Sequence, residues 1–174
     1  IFVGYQDIGD EGKLSISSLE YATSNWININ SGLSNGYANH NSLSIDVNGN
    51  PYYSLIDGDN DFLHFGFLSD NGNWGTNNPT NGSNSISGHS INSVVKQDYD
   101  GDVFVCSYQS SWRIVLYRAS SFNSNWSINN SFPDGNISSL SFDMKYNSGY
   151  IAFSNLDDEG KIDILKVDGG NISV

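Results

Sequence analysis

Apolar residues along this chain fall in short runs that alternate with small or polar residues, and turns rich in Asn, Asp, Gly and Ser separate the runs. The clearest example runs from Ser42 to Trp74. Ser42-Leu43-Ser44-Ile45-Asp46-Val47 alternates with period two, the signature of a strand with one buried face. Asn48-Gly49 follows, a hairpin turn whose two central residues both tolerate positive φ. Pro51 to Ile56 reads as a second strand, Asp57-Gly58-Asp59-Asn60-Asp61 as an acidic loop, and Phe62 to Leu68 as a third strand. Ser69-Asp70-Asn71-Gly72 then turns the chain, and Trp74 marks a short fourth strand. One such unit is a four-stranded antiparallel meander.

The unit recurs. Gly49, Gly101 and Gly149 occupy the same turn at spacings of 52 and 48 residues, and Trp26, Trp74 and Trp126 repeat at 48 and 52. Second strands are expected at Ile1 to Tyr5, Val103 to Tyr108 and Tyr150 to Ser154. Third strands are expected at Leu14 to Leu19, Ile114 to Tyr117 and Ile162 to Val167. First strands begin at Ser42, Ser93 and Ser139, so the first unit lacks one. A period near 50 filled with short strands belongs to β-propeller blades. The predicted fold class is therefore all-β: a propeller of four-stranded antiparallel blades, about four repeats with the first incomplete, forming part of a larger propeller. The approximate units are 1–30, 31–76, 77–128 and 129–174. An innermost strand missing beside the channel would leave a sheet edge bare. The expectation is that the rest of a longer parent chain, or a neighbouring copy, completes the ring.

Trp26-Ile27-Asn28-Ile29-Asn30, Leu33-Ser34-Asn35-Gly36-Tyr37-Ala38 and Ser42-Leu43-Ser44-Ile45-Asp46-Val47-Asn48-Gly49-Asn50-Pro51-Tyr52-Tyr53 resemble the propeller repeats of many bacterial secreted and surface proteins. Those read roughly W-x-x-I, S-x-G-x-A, then S-L-x-I-D-x-x-G-x-P-Y. The later copies depart from that wording: no proline follows Gly101 or Gly149, and a longer insert runs from Gly75 to Ser90. The resemblance implies a propeller and a secreted or cell-surface setting, and it supplies no shared catalytic residues.

Composition narrows the partners. Of the 174 residues, 37% are hydrophobic, 13% aromatic and 15% charged, and the formal net charge is −12. The aromatic share favours a packed core over disorder. The negative charge repels phosphate backbones and anionic membrane surfaces, which argues against nucleic acid, and no apolar run is long enough for membrane insertion. Cys106 is the only cysteine and excludes an internal disulfide. Its alternatives are a nucleophile or ligand, or a small buried strand residue, and the second fits its apolar neighbours. The chain opens directly on a strand-like run without a signal peptide, as a mature or excised piece of a longer protein would.

Acidic residues cluster in the loops between second and third strands: Asp7, Asp10 and Glu11; Asp57, Asp59 and Asp61; Asp157, Asp158 and Glu159. Either they bind a divalent cation, with calcium the candidate for Asp57, Asp59, Asp61, Asp157, Asp158 and Glu159, or they serve as turn formers. No cofactor is required on this reading. The Asp57 loop lacks the closing glutamate of an EF-hand. His40 and His89 precede first strands at the same end, and Tyr37, Trp112 and Phe132 lie in or beside these loops. Aromatic rings beside amides and carboxylates suit a sugar, so Tyr37, His40, His89, Trp112 and Phe132 form the candidate ligand site. Ser69-Asp70-Asn71-Gly72-Asn73-Trp74 approximates an Asp-box, a structural turn. With only Arg113 and Arg118 as arginines, sialidase chemistry is rejected. No nucleophile–base order or phosphate loop is legible. The expected function is a non-catalytic surface module for adhesion or for recognition of protein or glycan, and not an enzyme. The alternatives are a structural repeat of a secreted stalk, filament or large assembly and, third, a fragment of a glycan-processing enzyme.

Overall fold

The structure, a computed structural model, describes residues 1–59, 61–79, 90–110, 113–133, 135–169 and 171–173. Four antiparallel sheets follow one another along the chain. The first contains β1 (Phe2–Asp7), β2 (Lys13–Glu20) and β3 (Asn25–Asn30). The second contains β4 (Ala38–Ile45), β5 (Pro51–Asp57), β6 (Phe62–Leu68) and β7 (Trp74–Thr76). The third contains β8 (Ser90–Gln97), β9 (Val103–Gln109), β10 (Arg113–Ala119) and β11 (Ser127–Pro133). The fourth contains β12 (Ile137–Lys145), β13 (Ser148–Asn155), β14 (Lys161–Asp168) and β15 (Asn171–Ser173). Strand order within each sheet is sequential, and the first sheet has three strands. Its β1 is the counterpart of β5, β9 and β13, so among the described residues the first sheet holds no counterpart of β4, β8 and β12, in line with the sequence reading.

The innermost strands pack side by side, β4 against β8 and β8 against β12, while β1 lies against β4. Three apolar layers fill the spaces between sheets. Leu14 and Ile16 meet Tyr53 and Leu55 between the first and second sheets. Tyr52, Leu63 and Phe65 meet Val105, Val115 and Tyr117 between the second and third. Phe104, Ile114 and Leu116 meet Phe142, Ile151 and Phe153 between the third and fourth. Sheets buried on both faces need strands that are apolar on both sides. β5 and β9 meet that need, and every residue in them is buried.

Equivalent positions recur through the register. Asp7 pairs with Lys13, Asp57 with Phe62, Gln109 with Arg113 and Asn155 with Lys161, each closing its second strand. Counting back three residues gives Gly4, Ser54, Cys106 and Ala152, a small residue in every sheet. Cys106 is fully buried there, which settles it as a packing residue. Burial also raises its thiol pKa well above the ordinary value. Gly66 is required by close approach, since a Cβ there would lie 2.4 Å from the Tyr53 ring opposite it.

All three innermost strands bulge at one end, against the strand that follows. Pairing slips between Asn39 and Ser42, between Ser90 and Asn92, and between Ile137 and Leu140. An inserted residue breaks the two-residue alternation. Each of these strands therefore starts two to four residues before the Ser42, Ser93 and Ser139 read from the sequence.

Candidate functional site

The three bulges converge. His40 from β4, Ile91 and Asn92 from β8, and Ile137 to Leu140 from β12 line a cleft of about 230 Å³ including space open to solvent, with Tyr108 at the end of β9 as its fourth wall. His40 is exposed and holds φ 46°, a left-handed conformation uncommon outside glycine and often found at functional positions. Hydroxyls tie the strands together around the bulges. Ser93 Oγ lies 3.0 Å from Ser54 Oγ and donates at 3.5 Å to the His40 carbonyl, and Ser42 Oγ accepts from the Val95 amide at 3.3 Å. The Tyr108 hydroxyl donates to the Gly135 carbonyl at 3.2 Å and accepts from the Ile137 amide at 3.4 Å, locking the link that enters β12. The cleft thus offers an imidazole, an amide and serine hydroxyls beside apolar Ile91, Ile137 and Leu140. Its wall carries no carboxylate among the described residues.

Tyr37 lies just before His40, and its ring covers Gly12 on the first sheet. A Cβ at Gly12, where φ is +76°, would sit 2.3 Å from that ring. The Tyr37 carbonyl accepts from the Gly58 amide at 2.8 Å, and the Ala38 amide donates to the Gly12 carbonyl at 2.9 Å. Tyr37 therefore braces two acidic loops against the start of β4 while leaving more than half its surface in solvent.

Phe132 departs from the expectation. It pairs with Ile114 across β10 and β11 and packs against the apolar layer between the third and fourth sheets, because β11 extends further than the sequence suggests. His89 and Trp112 lie outside the described residues. Tyr108, Asn92 and the Ser138–Ser139 pair were not singled out as site residues from the sequence. Their signal is positional: each sits where a first or second strand meets this end of its sheet.

The acidic loops are organised by their own backbone. Asp7 Oδ1 accepts from the Gly9 amide at 2.9 Å, Asp57 Oδ1 from the Asp59 amide at 3.1 Å and Asn155 Oδ1 from the Asp157 amide at 3.0 Å. Side chains of this type favour such turns because they bond to backbone two residues on. Asp57 is buried, and the Asp59 carboxyl abuts Gly36. Asp157 Oδ2 accepts from the Asn136 amide at 2.8 Å, Asp158 pairs with Lys161 at 2.7 Å, and Asp61 and Glu159 hold positive φ. Among the described residues, no three His, Cys, Asp or Glu side chains are grouped to hold a metal ion. The six proposed calcium ligands are not brought together.

On the opposite end a more open hollow of about 530 Å³ lies between Asp46, Asp70, Phe67 and Phe122. Its carboxylates are committed to the hairpin: Asn50 Nδ2 donates to Asp70 at 2.6 Å and to Asp46 at 3.3 Å.

No family model matches the chain, and no curated protein matches it. Solved structures do. The chain superimposes with a TM-score of 0.58 and 13% identity on an exo-β-1,3-galactanase from Phanerochaete chrysosporium, determined with β-1,3-galactotriose, over 99% of this chain and 41% of that one. It matches a chain of a nidogen/laminin complex with a TM-score of 0.58 and 16% identity, over 99% of this chain and 59% of that one. It also matches a family 43 glycoside hydrolase engineered for endo-xylanase and exo-arabinofuranosidase activity, with a TM-score of 0.52 and 9% identity, over 88% and 32%. The chain thus spans between a third and three fifths of these proteins. At such identities the likeness shows the fold: the four sheets are blades of a β-propeller. The expectation that the chain is not an enzyme is corrected by these neighbours, two of which are glycoside hydrolases.

Proposed function

We propose that this chain supplies the carbohydrate-contacting end of a propeller, with the sugar seated in the cleft between His40, Asn92, Tyr108 and Ser139. One observation carries the reading: three bulged strands bring polar donors and acceptors and an apolar wall together at one place on the axis side of the blades. Bulges re-aim side chains beside functional sites, and a few convergent polar groups in a mostly apolar pocket fix a ligand's orientation. The fold is shared with glycoside hydrolases whose names specify galactan-, xylan- and arabinose-directed activity, which supports the class of ligand. About 30 Å³ of the cleft is enclosed, far below the roughly 300–1,000 Å³ of drug-sized pockets, so it would grip one edge of a terminal sugar and not enclose a ring. Cleavage, if the sugar is turned over, would draw its acid and base from the acidic loops at the same end.

The test is calorimetric titration with β-1,3-galactotriose, xylo-oligosaccharides and arabino-oligosaccharides, with product analysis of the same mixtures. Binding that weakens at least about tenfold, roughly 1.4 kcal/mol, in His40→Ala and Asn92→Ala supports the reading. Undiminished binding in both variants, or none to any sugar, overturns it.

A further inference from the structure

At the end of the blades opposite the saccharide cleft, the hollow beside Asp46 and Asp70 is walled by the second and third blades, inside the array. About 220 Å³ of it is enclosed, more than the roughly 150 Å³ that admits a benzene ring. Phe67 and Phe122, stacked 5.2 Å apart, give it an apolar base. Val47, Asp46 and Asp70 stand at its rim, and Gln97 closes the side of the third blade.

The polar groups of this hollow lack an opposite charge. Asp46 Oδ1 accepts from the Asn48 and Asn50 amides at 2.9 and 2.7 Å. Asn50 Nδ2 lies between Asp46 Oδ2 at 3.3 Å and Asp70 Oδ1 at 2.6 Å. These donors are neutral, so they gather two carboxylates around one nitrogen and cancel neither charge. Among the described residues no Lys, Arg or His lines the hollow. Gln97 Nε2 donates to the Gly101 carbonyl at 3.1 Å, which fixes the amide, and its Oε1 is buried without a partner among the described residues. An unmet buried acceptor is costly, and a ligand that brings a donor recovers that cost.

The cations at this end are already engaged. Lys96 pairs with Asp143 at 3.3 Å, Arg118 with Asp102, and Lys166 with Asp168 at 3.0 Å. Lys145 lies over the Tyr146 ring. Asp46, Asp70 and Asp100 have no ion-pair partner among the described residues. Apolar surface continues past the hollow along the hairpin tips. Val47, Tyr99 and Tyr146 are 75%, 72% and 62% exposed, and the two tyrosine rings lie 5.2 Å apart. Exposed apolar surface rimmed by polar residues marks an interaction site.

We propose that this end of the blades docks a basic segment of a partner protein, one arginine of which enters the hollow while its neighbours lie along Val47 and Tyr99. Charge complementarity specifies the occupant: every uncompensated group here is an acceptor, and the chain carries a net charge of −12. Arginine suits the hollow better than lysine, because its planar fork presents five donors to acceptors on separate walls. Its aliphatic stem rests on the phenylalanine base, as such stems do on apolar surface. A small free amine would use the hollow and leave the hairpin tips bare.

The experiment is an amide NMR titration of the 174-residue chain with a capped octapeptide of alternating arginine and leucine. A glutamate–leucine octapeptide and spermidine are the controls. The expected result is binding of the arginine peptide alone or far ahead of spermidine, with shifts at Val47, Asp70 and Gln97. Asp70→Asn keeps the acceptor that holds Asn50 and removes the charge, and Val47→Lys alters an exposed side chain. Each should weaken the peptide at least about tenfold, the worth of one charge-assisted hydrogen bond, with the amide spectrum as the fold control. His40→Ala should leave its affinity unchanged. No binding of the arginine peptide, undiminished binding in both variants, or shifts confined to the acidic loops at the other end would each overturn the proposal. Spermidine binding as tightly as the peptide would overturn it too, since the hollow would then be a site for free amines.

Discussion

Trp126 meets Phe65 edge-on, ring centroids 5.1 Å apart, across the boundary between the second and third blades. Around that contact Phe65, Phe67 and Phe122 stack at 5.2 to 6.0 Å. This aromatic layer is what the tryptophan repeat builds wherever a preceding blade exists. Trp126→Ala should cost about 3 kcal/mol, the lower end for loss of a packed tryptophan. Trp26→Ala should cost under about 0.5 kcal/mol, as an exposed substitution does. Urea unfolding of both variants checks the pair.

His64 gives the chain a pH dependence. Burial lowers its pKa below the ordinary 6.5, an effect partly offset by the nearby Asp57 carboxylate. Its Nδ1 is buried without a partner among the described residues. The unfolded chain therefore takes up the proton at higher pH than the folded one. The contribution of neutral His64 is complete above pH 6.5 and is lost as pH falls below it. Melting curves between pH 7.5 and 5 should show wild type losing more stability than His64→Asn.

Cys106 should be chemically silent. Its side chain is fully buried, and burial raises the thiol pKa, so little thiolate forms at neutral pH. A thiol reagent should label the chain only in denaturant. Rapid labelling of the native chain would show that the layer between the third and fourth blades opens.

Asp57 separates turn chemistry from metal binding. Its Oδ1 holds the Asp59 amide, and asparagine preserves that acceptor. Asp57→Asn should change stability by under about 1 kcal/mol, whereas Asp57→Ala should cost about 1–2 kcal/mol through the lost bond. Millimolar calcium should leave the melting temperature of all three proteins unchanged. A calcium-dependent rise abolished by Asp57→Asn would make the loop a cation site.

The blades were legible because period-two alternation, Asn-Gly turns and the 48- and 52-residue spacings are local signals. The missing inner strand of the first blade was legible for the same reason. The cleft was not. His40 was singled out as a loop histidine, but the bulges that aim it, Asn92 and Ser139 toward one point depend on pairing across strands. Phe132 looked like a loop aromatic because nothing local shows how far β11 continues.

The central claim is that saccharide sits between the three bulged strands. A crystal structure of the chain grown with β-1,3-galactotriose tests it most directly. The account predicts sugar density at the mouth of the cleft, within hydrogen-bond distance of His40 and Asn92. Density confined to the hollow by Asp46 and Asp70, or to the exposed faces of the end blades, would contradict it.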